Sequence, residues 1–216
     1  MDDERRISPL MIVLALLVPI LLVVIVVLII LCTKLSNEKT RAEMLAEEYS
    51  SMIDEQNAVK KSAARYRENY DRLVLAMLDD AALSEKSGNL IVQVWHNVIY
   101  EKQDSSTDKY TKVNGKFVED FNDALAKLFA DENFKADMET LQSNQQAIKA
   151  DMKGMVNPPE GCENEYKALK DLYDSYLAFV NHVVYCEGSL NSFSEGFSKV
   201  DDDFNVAYHT AELYMK

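Results

Sequence analysis

Glycine and proline are scarce in this chain, six and four residues out of 216. Turn-rich β-architectures lean on both, so β-structure has little to build on, and long stretches of charged and aliphatic helix formers point to an all-α fold. Also missing are a glycine-rich phosphate loop, a nucleophile elbow, an HExxH motif and a convincing pair of acids, so the chain does not read as an enzyme. No Asn-x-Ser/Thr sequon occurs, which disfavours a eukaryotic secreted domain and favours a bacterial envelope.

What the chain has in plenty is concentrated near its N-terminus. Leu10 to Leu31 form 22 consecutive residues without a charge or a polar side chain. At 1.5 Å per residue the run reaches about 33 Å as a helix, enough for a hydrocarbon core of about 30 Å. A cleaved signal peptide is the rival reading. Its apolar region is typically about 7 to 15 residues, and its peptidase needs small side chains at positions −3 and −1. Ile30 with Cys32, or Leu31 with Thr33, offer none. An uncleaved signal anchor is therefore expected, and Pro19 is no obstacle to a spanning helix. Arg5 and Arg6 on one side nearly balance Lys34, Lys39 and Arg41 on the other, so flanking charge decides little. A short arginine-bearing head followed by a long domain favours the N-terminus inside and the C-terminus outside.

Between Pro19 and Gly88 there is neither glycine nor proline, so no local signal stops the membrane helix at the bilayer surface. From Ala42 a heptad series runs through Leu45, Tyr49, Met52, Gln56, Val59, Ala63, Tyr66, Tyr70, Leu73 and Met77, with Gln56 the one non-apolar member. Such a seam can be covered by another copy in a coiled coil or by helices of the same chain. Its tyrosines and alanines fit one helix of an intrachain bundle better than a strong zipper.

Ser87-Gly88-Asn89 is expected to break this helix. Leu90 to Tyr100 then carries apolar residues at helical spacing, although its β-branched content would also suit a strand. Gln103 to Thr111 and Val113-Asn114-Gly115 read as exposed loop. Two helices follow, one holding Val118, Phe121, Leu125, Leu128 and Phe129, the next holding Phe134, Met138, Leu141, Ile148 and Met152 and closing near Gly154 and Asn157-Pro158-Pro159. Two further seams, Tyr166 to Val183 and Leu190 to Tyr214, are joined by Glu187-Gly188-Ser189 and must form an antiparallel hairpin, opened by a capping box at Ser192 and Glu195. Gly196 inside the second costs roughly 1 kcal/mol relative to alanine, which suggests close approach of a neighbour as readily as simple tolerance. The expected organisation is a short cytoplasmic tail at 1–9, a transmembrane signal anchor at 10–32, a long stalk or bundle helix at 33–86, and an acidic helical bundle at 87–216 ending in a helical hairpin at 160–215.

Thr33 to Leu78 holds eight basic and eight acidic residues, so the distal part carries nearly all of the net charge of −13. Nucleic acid and anionic lipid surfaces need Lys/Arg faces and are excluded as partners of an acidic domain. Lys60, Lys61, Arg65, Arg67 and Arg72 are flanked by acids and read as a solvated helix face. Cys162 and Cys186 would sit about 36 Å apart if they bound one helix, beyond the roughly 7 Å Cα limit of a disulfide.

Three constellations carry residue types suited to metal or catalytic chemistry. Asp201, Asp203, Asn205 and Glu212 match positions 1, 3, 5 and 12 of a calcium loop, but Val206 stands where the turn needs glycine and a phenylalanine seam runs through the stretch. His182 and Cys186 share a helix face without a second half-site. His209 with Glu212 is an ordinary exposed pair, and His96 beside Trp95 an edge-of-core residue. No catalytic, cofactor-binding or metal-binding residue is assigned. The expected function is a single-pass membrane-anchored helical interaction or scaffold protein, bound to the bilayer through residues 10–32 and to a protein partner or another copy through helical faces. A ligand-sensing or signal-relaying ectodomain is the alternative. It would have to act through a partner's spanning helix, because Met1 to Pro9 is too short to form a domain.

Overall fold

A computed structural model describes residues 9–216, with side chains from Ile20 onward. The expected tail Met1 to Ser8 lies outside the described residues, as do the side chains of the first half of the expected anchor. The elements are α1 (Pro9–Ile99), α2 (Asp108–Thr111), β1 (Lys112–Val113), β2 (Lys116–Phe117), α3 (Phe121–Ala130), α4 (Glu132–Lys153), α5 (Glu163–Val184) and α6 (Leu190–Glu212). The chain divides into two units, one ending at Ala58 and one beginning at Val59.

In the first unit only α1 is present, and every described side chain from Ile20 to Ala58 is exposed. Local interactions are few: Thr33 and Thr40 donate to the carbonyls of Ile30 and Ser36, and Lys39 lies 3.9 Å from Glu43 one turn on. Such contacts add only tenths of a kcal/mol each, so this stretch is helical by propensity and continuity rather than by packing.

The second unit is a bundle in which the distal part of α1 packs with α4, α5 and α6. Its core starts at Ala63 and takes Tyr70, Leu73, Val74 and Met77 from α1, Leu141 and Ile148 from α4, Leu172, Tyr176 and Phe179 from α5, and Phe193 and Phe204 from α6. Burying an aromatic or aliphatic side chain of this size contributes about 1.5–3 kcal/mol. Helices α5 and α6 are the expected antiparallel hairpin: Phe179 meets Phe197 and Phe204, whereas His182, a turn later on α5, meets Phe193, earlier on α6. α3 joins the bundle through Phe121, stacked on Trp95, and Phe129, edge-on to Phe134.

The starts of α3, α4 and α6 follow side-chain chemistry. Asp120 and Asp131 cap α3 and α4 by accepting from the backbone N–H groups two residues on, and Asp131 also accepts from Phe134 N. The box that opens α6 is formed by Ser189 and Ser192, not by Ser192 and Glu195. The motif is shifted by three residues because a hydroxyl at Ser192 reaches back to the Ser189 N–H as a glutamate would.

Two further expectations are corrected. Ser87-Gly88-Asn89 does not end the helix: α1 runs on to Ile99 and takes in the ambiguous segment from Leu90. Gly88 is buried at a helix crossing, where a Cβ would stand 2.0 Å from Cε2 of Phe197. The glycine is thus a contact point between α1 and α6, and packing overrides its weak helix propensity. Gly196 plays the same part between α6 and α5, with its missing Cβ 2.6 Å from Cε1 of His182. The stretch from Gln103 to Thr111 is not all exposed loop, since Thr107, Tyr110 and Thr111 are buried and α2 forms at its end. Asn114-Gly115, both at positive φ, make the two-residue turn of a small antiparallel ladder pairing Lys112 with Phe117 and Val113 with Lys116.

Candidate functional site

The apolar run has one chemistry, insolubility in water. Side chains from Ile20 to Leu31 are all apolar, exposed and without a partner in the chain. Leaving twelve such residues in water costs on the order of 20 kcal/mol. Among the described residues this is the one helix long and apolar enough to cross a membrane.

Inside the bundle the most unusual feature is a carboxylate. Asp80 is 3% exposed. Its two oxygens accept from Nδ2 of Asn144 at 2.7 Å and from the hydroxyl of Tyr176 at 2.8 Å. Burial pushes the Asp80 carboxyl up from its ordinary range, while the two hydrogen bonds pull the other way. Burial, and donation to Asp80, push the Tyr176 phenol up as well, so its proton stays in place. This ties α1, α4 and α5 together at one level of the core. Both hydrogen bonds to the carboxylate come from other helices of the bundle, so the group acts as a fastening between them.

Two tyrosines of α1 fasten helix ends. The hydroxyl of Tyr66 donates to the carbonyl of Met155 just past α4, and that of Tyr70 to the carbonyl of Ala211 in the last turn of α6. The first acceptor lies beyond the end of α4, and the second shares its oxygen with the backbone N–H of Tyr214. Burial pushes Tyr66 up to about 12 and Tyr70 higher still. Arg67, expected on a solvated face, is instead half-buried and donates to Glu165, while Arg72 donates to Asp151. Lys60, Lys61 and Arg65 are exposed, as expected.

The metal and catalytic candidates of the sequence have other partners or lie on helix surfaces. Asp201, Asp203 and Asn205 lie within α6, with Asp203 held by Lys199 and Asn205 donating to Asp201, so no loop surrounds a cation. His182 bonds the carbonyl of Phe193 and stacks on its ring. Cys186 is half-buried, its thiol pushed up to about 11 by burial and by Glu187. Cys162 is fully buried and its thiol is likewise raised. Both stay protonated and poorly nucleophilic at neutral pH. All three cysteines are free. His209 sits 3.4 Å from Glu212 on the surface, and His96 lies beside Asn97 and Tyr100. Among the described residues no group of three or more His, Cys, Asp or Glu side chains is placed to hold a metal ion.

Two surface features remain. A groove of about 270 Å³ between α4 and α5 has Met152, Val156, Tyr166 and Tyr173 as its floor and Lys149, Lys153 and Lys170 at its rim, the last paired with Asp174. The other is the proximal half of the heptad seam, Ala42 to Val59, with Leu45 48%, Tyr49 64%, Met52 49% and Val59 45% exposed. The seam itself was legible as a period. The Asp80 centre was missed, although of the adjacent acids Asp79 and Asp80 the second falls in step with the apolar stripe between Met77 and Ser84, which is the signal that could have found it. The chain matches no protein-family model, and neither a curated protein nor a solved structure is found to be similar to it.

Proposed function

We propose that the chain is a single-pass membrane protein, held in the bilayer by residues 10–32, whose helical bundle serves as a non-enzymatic interaction or scaffold module outside the cytoplasm of a bacterial envelope. The observation that carries this reading is the uninterrupted, exposed apolar stretch of α1 from Ile20 to Leu31. It requires a non-aqueous surrounding, and the same helix continues without a break into the acidic unit. Buried, protonated thiols, helix-bound acids and histidines engaged in packing support an interaction module over a catalyst.

Alkaline carbonate extraction tests the anchor, and labelling tests the orientation. In a Cys32→Ser background, a Ser105→Cys substitution places a reactive thiol at an exposed position of the α1–α2 connection. Modification by an impermeant maleimide in intact cells is the expected result. Modification only after lysis would put the bundle in the cytoplasm and redirect the search for partners.

The lysine-rimmed groove is the observation that favours a ligand-sensing ectodomain instead. A small anion with an apolar body that raises the melting temperature of the full chain in detergent would support that alternative, since a ligand of the native state alone stabilises it.

A further inference from the structure

We infer that the seam from Ala42 to Val59 is covered by the same seam of a second copy, so that the protein is a parallel homodimer in its membrane. The proposal rests on the membrane reading above, because the bilayer fixes which way and at what height the two helices meet.

Four observations choose this occupant. First, the stripe repeats every 3.5 residues, which is the signature of a neighbouring helix running nearly alongside rather than of a globular partner. Second, nothing in the chain's own core reaches it: the buried cluster begins at Ala63, and Leu45, Tyr49, Met52 and Val59 stay about half exposed or more. Third, Gln56 is the lone polar member of the seam. Facing itself in an in-register parallel pair, its amide supplies both donor and acceptor to an identical amide, whereas an apolar partner would leave it unsatisfied. Fourth, the positions flanking the seam suit a self-pair. In a parallel dimer Glu55 lies opposite Lys60 of the other copy, and Glu48 and Arg41 meet Ile53 and Ala46, so no like charges are opposed.

The partner follows the seam no further than Val59, because from Ala63 the same series belongs to the chain's own core. About two and a half heptads make a weak pair in solution. Confinement of both copies to one membrane raises their effective concentration and orients them alike, which is what such a short seam needs.

Cysteine crosslinking of the full chain in isolated membranes tests this. In a Cys32→Ser, Cys186→Ser background, Tyr49→Cys, Met52→Cys and Gln56→Cys report on the seam, and Glu47→Cys and Asp54→Cys on the opposite face. Mild oxidation is expected to give a product of twice the chain mass several-fold more efficiently at the three seam positions. Lys60→Glu, added to Gln56→Cys, is expected to lower that yield several-fold, and the exchanged pair Glu55→Lys with Lys60→Glu to restore it. Equal or absent crosslinking at seam and opposite face, in a chain that resists carbonate extraction, overturns the dimer and leaves the membrane reading standing. A seam product of any other mass overturns it in favour of a different protein partner. Release of the chain by carbonate overturns the membrane reading itself, and with it the basis of the dimer.

Discussion

Along α1, the residues from Ala42 to Val59 and those from Ala63 to Met77 belong to one heptad series, yet the first group is exposed and the second is buried. The two stretches differ little in apolar content. What differs is connectivity: from Ala63 onward α4, α5 and α6 supply the covering side chains, as the bonds of Tyr66, Tyr70 and Asp80 to those helices and their margins record. An amphipathic period therefore states that a face is to be covered and leaves open by what.

The largest expected effect sets the two halves of the seam against each other. Leu73→Ala removes a side chain that is 1% exposed and should cost about 2–5 kcal/mol of bundle stability. Leu45→Ala, at a half-exposed position of the same series, should stay within about 0.5 kcal/mol. Urea unfolding of the full chain in detergent, followed by the fluorescence of its single tryptophan, Trp95 in the bundle core, reads both. Equal costs would mean that the proximal seam is covered in detergent as fully as the distal one, by the chain itself or by a second copy.

Gly88→Ala is expected to destabilise the bundle by about 1–3 kcal/mol, because the new methyl group would overlap the Phe197 ring. In an uncrowded helix the same change would gain roughly 1 kcal/mol. A stabilising outcome in the same unfolding assay would show that α1 and α6 do not cross there.

The smallest effect is a change of slope with pH. Asp80 has a raised carboxyl in the folded bundle, so the native state binds its proton more tightly than the unfolded chain does. Its contribution is fully present below the ordinary carboxyl value of 3.8 and is lost as pH rises through the higher folded value. Asp104 and Asp131, held low by hydrogen bonds and Lys109, act in the opposite sense. Asp80→Asn should therefore gain stability relative to the parent as pH rises from about 4 towards neutrality. An unchanged difference across that range would place the carboxylate in a solvated setting, like the acids of the proximal stretch.

How far the chain can be read without its structure varies by element. The α5–α6 hairpin was legible because two clean seams flank Gly188, and α3 and α4 because their apolar residues recur at helical spacing and the second closes near Gly154 and Asn157-Pro158-Pro159. The continuation of α1 past Gly88 was not, since a glycine signals a break locally and only a ring from α6 turns it into a crossing point. The Asp80 centre was hidden for a similar reason. One acid on an apolar face looks like noise until Asn144 and Tyr176, 64 and 96 residues away, are brought to it.

By itself the sequence determined the anchor-like run, the helical class and the distal hairpin. These depend on the period and composition of contiguous residues, and local chemistry reports them. Tertiary structure decided where the seam ceases to be exposed, which glycines are contacts, which arginine is half-buried and which acid is interior. Each of those depends on distant residues meeting, and no local pattern contains that information.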